Sequence, residues 1–331
     1  MSEVQSVLYA EDRSAPVIAR LSRLEVRFEV PGIDAKRVYA NGRMQVRVWV
    51  FVEAVDENGE NVPLSYFPDL ITTRLIRYHD AVPLEQEAYQ GKPLAGWNSD
   101  RFENKYRHEI PGSVHSSGPS GGVTGEPLQF WVTSSVEGQM QIAAEVTLQG
   151  KVYRSNHTTN PDGNKINKSV IVHAERNPVY SIEQFNWQKE ELEGNFDGDR
   201  LFRYHLGFYP GGMQVALLDW TSTQYGADGY PVKFCDTGLI LGSTGPRSFV
   251  GVLAPVSYKM MDVYVSRHRP IAVNQRSGEL TVVKGIPSVY VHTGDVRVAP
   301  FLFAVCDEYG TEHRLSLIVD IPDTNFVLQR G

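Results

Sequence analysis

Residues 39–65 read YANGRMQVRVWVFVEAVDENGENVPLS, and this stretch decides how the rest of the chain divides. Met44, Val46, Val48, Val50 and Val52 recur at every second position, the period of a strand with one face on a core. On the other face Gln45 and Arg47 are placed to meet water, but Trp49 and Phe51 follow on the same side. The strand is therefore expected to enter at a wet rim and run into a core on both faces. Asp56, Glu57, Asn58 and Gly59 then supply a turn, because Asn and Gly accept the positive φ a tight hairpin needs.

The same pattern continues on either side. In residues 19–30, Leu21, Leu24, Val26, Phe28 and Val30 mostly alternate with Arg23, Glu25, Arg27 and Glu29 until Pro31 and Gly32 end the run. Further strands are expected at 70–78, 128–133, 140–148 and 168–174, with the turn NPDGN at 160–164. Residues 181–193, SIEQFNWQKEELE, open with the Ser181 and Gln184 of a capping box, while Phe185 and Trp187 alternate as in a strand, so helix and strand both stay open there. Residues 80–127 lack periodicity and hold the run PGSVHSSGPSGGVTGEP at 111–127, which predicts a long exposed loop. Segments of this kind inside a domain tend to be either functional or disordered.

At 331 residues the length suggests two domains, each able to bury a core without staples. Blocks from the first half return in the second in the same order. Gly42-x-Met44-Gln45-Val46 matches Gly211-x-Met213-Gln214-Val215, and FWVTS from Phe130 matches VYVHT from Val289. MQIAAEV from Met140 matches VRVAPFL from Val296, and SVIV from Ser169 matches SLIV from Ser316. The expected fold is all-β: two tandem β-sandwich, Ig-like domains related by internal duplication, with at most one short helix. Residues 1–15 form an N-terminal arm, 16–176 the first sandwich with its loop at 80–127, and 177–331 the second.

Ala40-Asn41-Gly42, a long alternating strand, Asp56-x-Asn58-Gly59 and Val62-Pro63 together resemble the bacterial Ig-like domains of the invasin and intimin type, over residues 37–64. The resemblance implies an Ig-like sandwich serving as a spacer or adhesive module, with no catalytic residues to carry over.

The net charge of −7 argues against nucleic-acid binding, which wants a basic surface, and favours a soluble chain. Cys235 and Cys306 are too few for a disulfide framework and are read as two buried thiols, with one bridge as the alternative. The start, MSEVQSVLYAEDR, carries acids where a signal peptide has a basic head, and no run approaches the roughly 18 apolar residues of a membrane helix. A cytoplasmic product is expected, leaving the cell only by leaderless export or lysis.

Several stretches imitate chemical motifs. Gly118-Pro119-Ser120-Gly121-Gly122 satisfies G-x-S-x-G but has neither the strand before it nor the helix after it that an acylating serine needs. Asn195-x-Asp197-x-Asp199 imitates the first three calcium ligands of an EF-hand, yet Arg200 and Leu206 stand where glycine and glutamate belong, so a solvated acidic turn is expected. The nine histidines never adopt zinc-ligand spacing, and Arg267-His268-Arg269 reads as a surface turn. No metal, cofactor or catalytic constellation is expected. The aromatics Trp97, Phe102 and Tyr106, with Arg101 and Arg107 among them, fall in the aperiodic region; they either seal the open end of the first sandwich, the favoured reading, or serve sugar stacking or a protein contact. These five are the candidate binding residues. The reading is a non-enzymatic interaction protein that binds a protein partner or assembles with itself. Two alternatives stand beside it: a carbohydrate-binding module or glycan-active enzyme, and a leaderless toxin or phage-like particle component.

Overall fold

A computed structural model describes residues 17–66, 71–111, 113, 127–193, 197–223, 230–234, 250–265, 267–288, 300–320 and 325–331. The protein is all-β. Its helical segments among the described residues are single 3-10 turns at Leu64–Tyr66, Ile182–Gln184 and Pro210–Gly212. The chain divides into two compact units, Met1–Arg176 and Asn177–Gly331.

In the first unit, one sheet runs in the order Arg20–Arg27, Val46–Val55, Leu128–Ser134, Trp97–Asp100. The other runs Ala35–Tyr39, Val170–Glu175, Gly138–Leu148, Ile71–Arg77, antiparallel except for the parallel pairing of its first two strands. Val46, Val48 and Val50 are fully buried, as the alternation requires, and Ala35–Tyr39 of the second sheet lies against both Val46–Val55 and Leu128–Ser134 of the first. Burying each such valine stabilises the fold by about 1.5–3 kcal/mol. The long strand begins at a close approach of two backbones. Gly42 has φ +65, and a Cβ on it would stand 2.4 Å from the carbonyl oxygen of Leu94. Leu94 N donates to Gly42 O at 2.9 Å, and Gly42 N donates to Ser134 O at 2.8 Å, so only glycine fits this junction.

The second unit pairs Phe185–Glu191, Arg200–Phe208, Leu280–Ile286, Val250–Leu253 and Val232–Phe234 in one sheet, and Leu217–Thr221, Phe301–Asp307, Glu312–Asp320 and Asn325–Arg330 in the other. One core joins them: Phe202, Tyr204, Leu206, Phe208, Leu280 and Val282 from the first sheet pack with Leu217, Trp220, Phe301, Phe303, Val305 and Leu315 from the second. A third layer lies on the opposite face of the first sheet. There the hairpin Met260–Tyr264/His268–Ala272 buries Met261, Val263 and Ile271 against Leu201, Val250, Val252 and Val283. Asn274, at φ 48, fastens this hairpin to the sheet. Its Nδ2 donates to Pro255 O at 2.8 Å and its backbone N to Thr281 Oγ1 at 2.8 Å, while its Oδ1 accepts from Thr281 N at 2.8 Å.

With Ala35–Tyr39 set aside in the first unit, and Val232–Phe234, the Met260–Tyr264/His268–Ala272 hairpin and Asn325–Arg330 in the second, the seven main strands of each unit, counted in chain order, pair as first, second, fifth, fourth in one sheet and third, sixth, seventh in the other, the order found in immunoglobulin-type sandwiches. The units differ beside the seventh strand. The first places Ala35–Tyr39 there in parallel, and the second adds Asn325–Arg330 antiparallel.

The sequence blocks follow this shared order only in part. The blocks at Ser169 and Ser316 both fall on seventh strands, Val170–Glu175 and Glu312–Asp320. Gly42-x-Met44 leads into a second strand, whereas Gly211-x-Met213 leads into the third strand, Leu217–Thr221, so these two are not equivalent. Residues 289–299 lie outside the described residues, which removes the VYVHT block and the start of VRVAPFL from comparison. At 181–193 both sequence signals act in turn. Ser181 N donates to Gln184 Oε1 at 3.0 Å across a single helical turn, and from Phe185 the alternation of Phe185 and Trp187 prevails as a strand.

Candidate functional site

The segment expected as a long exposed loop is, over residues 81–111, bound to the first sheet by side chains that imitate backbone. Gln45, fully buried rather than facing water, donates from Nε2 to Phe102 O at 3.2 Å and accepts from Asn104 N at 2.8 Å. Asn104 Nδ2 donates to Arg43 O at 2.6 Å. Asp100 accepts from Tyr89 N at 2.8 Å and Phe102 N at 3.0 Å, and Asn98 Oδ1 accepts from Glu87 N at 3.2 Å. Leu84, Leu94, Tyr106 and Ile110 are buried beneath this lattice. Of residues 112–126 only Ser113 is described, so the Gly118–Ser120–Gly122 motif is outside the described residues.

The five candidate residues do not form one cluster. Tyr106 is buried, its ring edge-on to Tyr89 at 5.8 Å with the two hydroxyls 3.1 Å apart, so it cannot stack on a ligand. Arg101 sets its guanidinium 3.7 Å from the ring centre of Phe130 in the first sheet and donates to Thr73 O in the second sheet at 2.6 Å. Burial lowers its pKa, and it acts as a clasp between the sheets. Trp97 is half-buried at the start of its strand, opposite Ser134. Phe102 is 72 % exposed, and Arg107 is exposed.

The outer face of the first sheet carries an arrangement that was not foreseen. Arg23, Glu25 and Arg27 on one strand oppose Glu53, Phe51 and Trp49 on the next, while Arg47 opposes Trp131. Guanidinium and ring then alternate across the face. Arg23 lies 4.4 Å from the Phe51 centroid, Arg27 4.5 Å from Phe51 and 5.9 Å from Trp49, and Arg47 5.4 Å from Trp49 and 5.5 Å from Trp131. His108 closes the row, 4.5 Å from Trp131. The second face of Val46–Val55 is therefore covered by flat cations and not by another apolar layer. Phe51 and Trp131 are buried as a result, although they point away from the core between the sheets. Such contacts contribute about 0.5–1 kcal/mol each at a surface.

The three arginines differ in charge pairing. Burial disfavours the Arg23 cation, but hydrogen bonds from Arg23 to Glu25 and Glu53, both at 2.9 Å, outweigh that and raise its pKa. Arg27 and Arg47 have no carboxylate partner among the described residues. Their buried Nε–H groups, and the Nε1–H of Trp49 between them, also find no acceptor there.

The remaining motifs satisfy one another. Asp197 accepts from Arg267 at 3.2 Å and Arg269 at 3.0 Å, and Asp199 accepts from Ser288 N at 2.8 Å, so the acidic turn and the Arg267–Arg269 run form one arginine-clasped corner. Asn195 lies outside the described residues. Glu190 bonds His205 at 3.0 Å and Arg203 at 2.8 Å; the His205 bond, ahead of the Arg203 bond and charge, holds its carboxyl below the usual range. His313 and Asp307, 3.0 Å apart and both buried, meet beside the rings of Tyr180, Phe185 and Phe208. Cys306 is buried, and Cys235 lies outside the described residues. Among the described residues no three His, Cys, Asp or Glu side chains gather as a metal site, and no helix is long and apolar enough to cross a membrane.

No protein-family model matches the chain, and no curated protein matches it.

Proposed function

We propose that the protein is a non-enzymatic interaction protein, a tandem β-sandwich that binds a protein partner or copies of itself through the outer face of the first unit's Arg20–Arg27 sheet. One observation carries this reading: Arg27 and Arg47 flank Trp49 on that face with no carboxylate partner among the described residues. Guanidinia packed against rings keep their orientation, and arginine and tryptophan are among the side chains enriched at energetic centres of interfaces. The sugar-binding alternative needs open ring faces. Tyr106 is buried, Phe51, Trp49 and Trp131 have guanidinia beside theirs, and of the three candidate rings Phe102 alone is exposed, with Trp97 half-buried.

Light scattering on the full chain over a range of concentrations tests the reading. Species heavier than the 37.1 kDa monomer are expected, dispersing in high salt and in the Arg27→Gln/Arg47→Gln variant. A monomer at every concentration that instead binds a neutral glycan, undiminished by those two substitutions, contradicts it.

A further inference from the structure

We infer that the arginine–aromatic face is a docking site for an acidic protein segment, whose carboxylates seat on the N–H edges of Arg27 and Arg47. The inference rests on the interaction reading above and names the chemistry of the partner.

Charge pairing elsewhere in the molecule sets the contrast. Arg203 and Arg269 are, like Arg27 and Arg47, largely covered, and each meets a carboxylate, Glu190 and Asp197 respectively. Arg74 and Arg154 share the buried Glu145. In a chain with 39 acids to 32 bases, intramolecular carboxylates are plentiful, so two partly buried guanidinia without one on a single face are notable; Arg101 also lacks one, but it donates to Thr73 O. A desolvated cation lacking a counter-charge is costly, and an acceptor arriving from outside removes that cost.

Geometry narrows the acceptor. The rings of Phe51, Trp49 and Trp131 flank both guanidinia and their Nε–H groups are buried, which leaves the terminal N–H groups, donors that suit a carboxylate's oxygens. Because stacking already fixes both side chains, little rotamer freedom is lost on binding. Exposed Phe102 offers a protein segment an apolar contact. Its carbonyl is bound by Gln45, two residues before Arg47 on the same strand face, so its backbone lies at the end of this face. Glu25 and Glu53 on this face are already paired with Arg23, so the cations left for an incoming carboxylate are Arg27 and Arg47.

The test titrates labelled poly-L-glutamate into the full chain at low ionic strength. Saturable binding is expected, weakened at least tenfold by Arg27→Gln/Arg47→Gln, weakened less by Arg27→Lys/Arg47→Lys, which keeps charge but not the flat stack, and unchanged by Arg176→Gln on an exposed arginine. Circular dichroism checks that each variant is folded. A second measurement needs no variant: poly-L-glutamate should protect Arg27 and Arg47, and not Arg176, from phenylglyoxal. Absence of saturable binding, protection of other arginines, or tighter binding of heparin than of poly-L-glutamate with the same protection pattern each overturns the inference. Salt-sensitive self-association with no poly-L-glutamate binding would leave the interaction reading standing and remove the acidic-segment inference alone.

Discussion

Replacing Lys284 with methionine is expected to stabilise the second unit by about 3 kcal/mol at neutral pH. Lys284 lies on the inner face of its sheet, opposite Phe202, and is fully buried in the row that also holds Leu280 and Val282. Burial, with smaller contributions from the charges of Lys189 and Arg200, pushes its pKa down from 10.5 to about 8. The rings of Phe202 at 5.5 Å and Phe326 at 5.7 Å offset only part of the desolvation. Because the folded pKa is the lower one, the unfolded chain holds more protons between about pH 8 and 10.5. Stability therefore rises with pH across that window, and the full penalty applies below it. Methionine keeps an unbranched side chain of similar length without the charge. Urea unfolding at pH 7 and pH 10 checks this: wild type should gain stability between the two pH values relative to Lys284→Met. Equal pH slopes would mean that burial does not shift the titration of this amine.

Asp307→Ala is expected to cost the second unit about 4 kcal/mol. The carboxylate accepts from Tyr309 N at 2.8 Å and Thr311 N at 3.0 Å on one oxygen and meets His313 Nε2 at 3.0 Å on the other, all out of contact with water. Alanine leaves two backbone donors and a buried imidazole without an acceptor between the strands Phe301–Asp307 and Glu312–Asp320. Asp307→Asn keeps one oxygen for the turn and should lose less. Chemical denaturation of the two variants gives the order; an alanine variant within 1 kcal/mol of wild type (about the worth of one ordinary hydrogen bond) excludes a supporting role for the pair.

The strands that alternate strictly were legible because burial on one face leaves a period of two in the sequence, as in Val46–Val55. The first strand was harder, since a register shift between Leu21 and Arg23 breaks its alternation. Residues 81–111 were opaque for a different reason. They are held by Gln45, Asn98, Asp100 and Asn104 bonding to backbone, and such bonds impose no periodicity. Trp49 and Phe51 were visible as apolar residues on a second face, but what covers them depends on register. Arg27 reaches Trp49 only because position 27 pairs with position 49, and nothing in either strand alone states this. The proximity of Tyr106 to Arg101 in sequence suggested a shared surface, whereas turns send one inward to Tyr89 and the other across to Thr73. Asp197 and Arg269 looked like unrelated charge runs because 72 residues separate them.

The central claim is that the arginine–aromatic face is a working surface and not a support for the sandwich. The unfolding free energy of the folded Arg47→Gln protein tests it most directly. Two surface cation–π contacts, to Trp49 and Trp131, are removed, so a loss of about 1–2 kcal/mol at most is predicted, with the melting transition otherwise intact. A loss well beyond that, on the order of the 3–5 kcal/mol seen when a core residue is truncated, would contradict the claim and assign the ladder to holding the first sheet together.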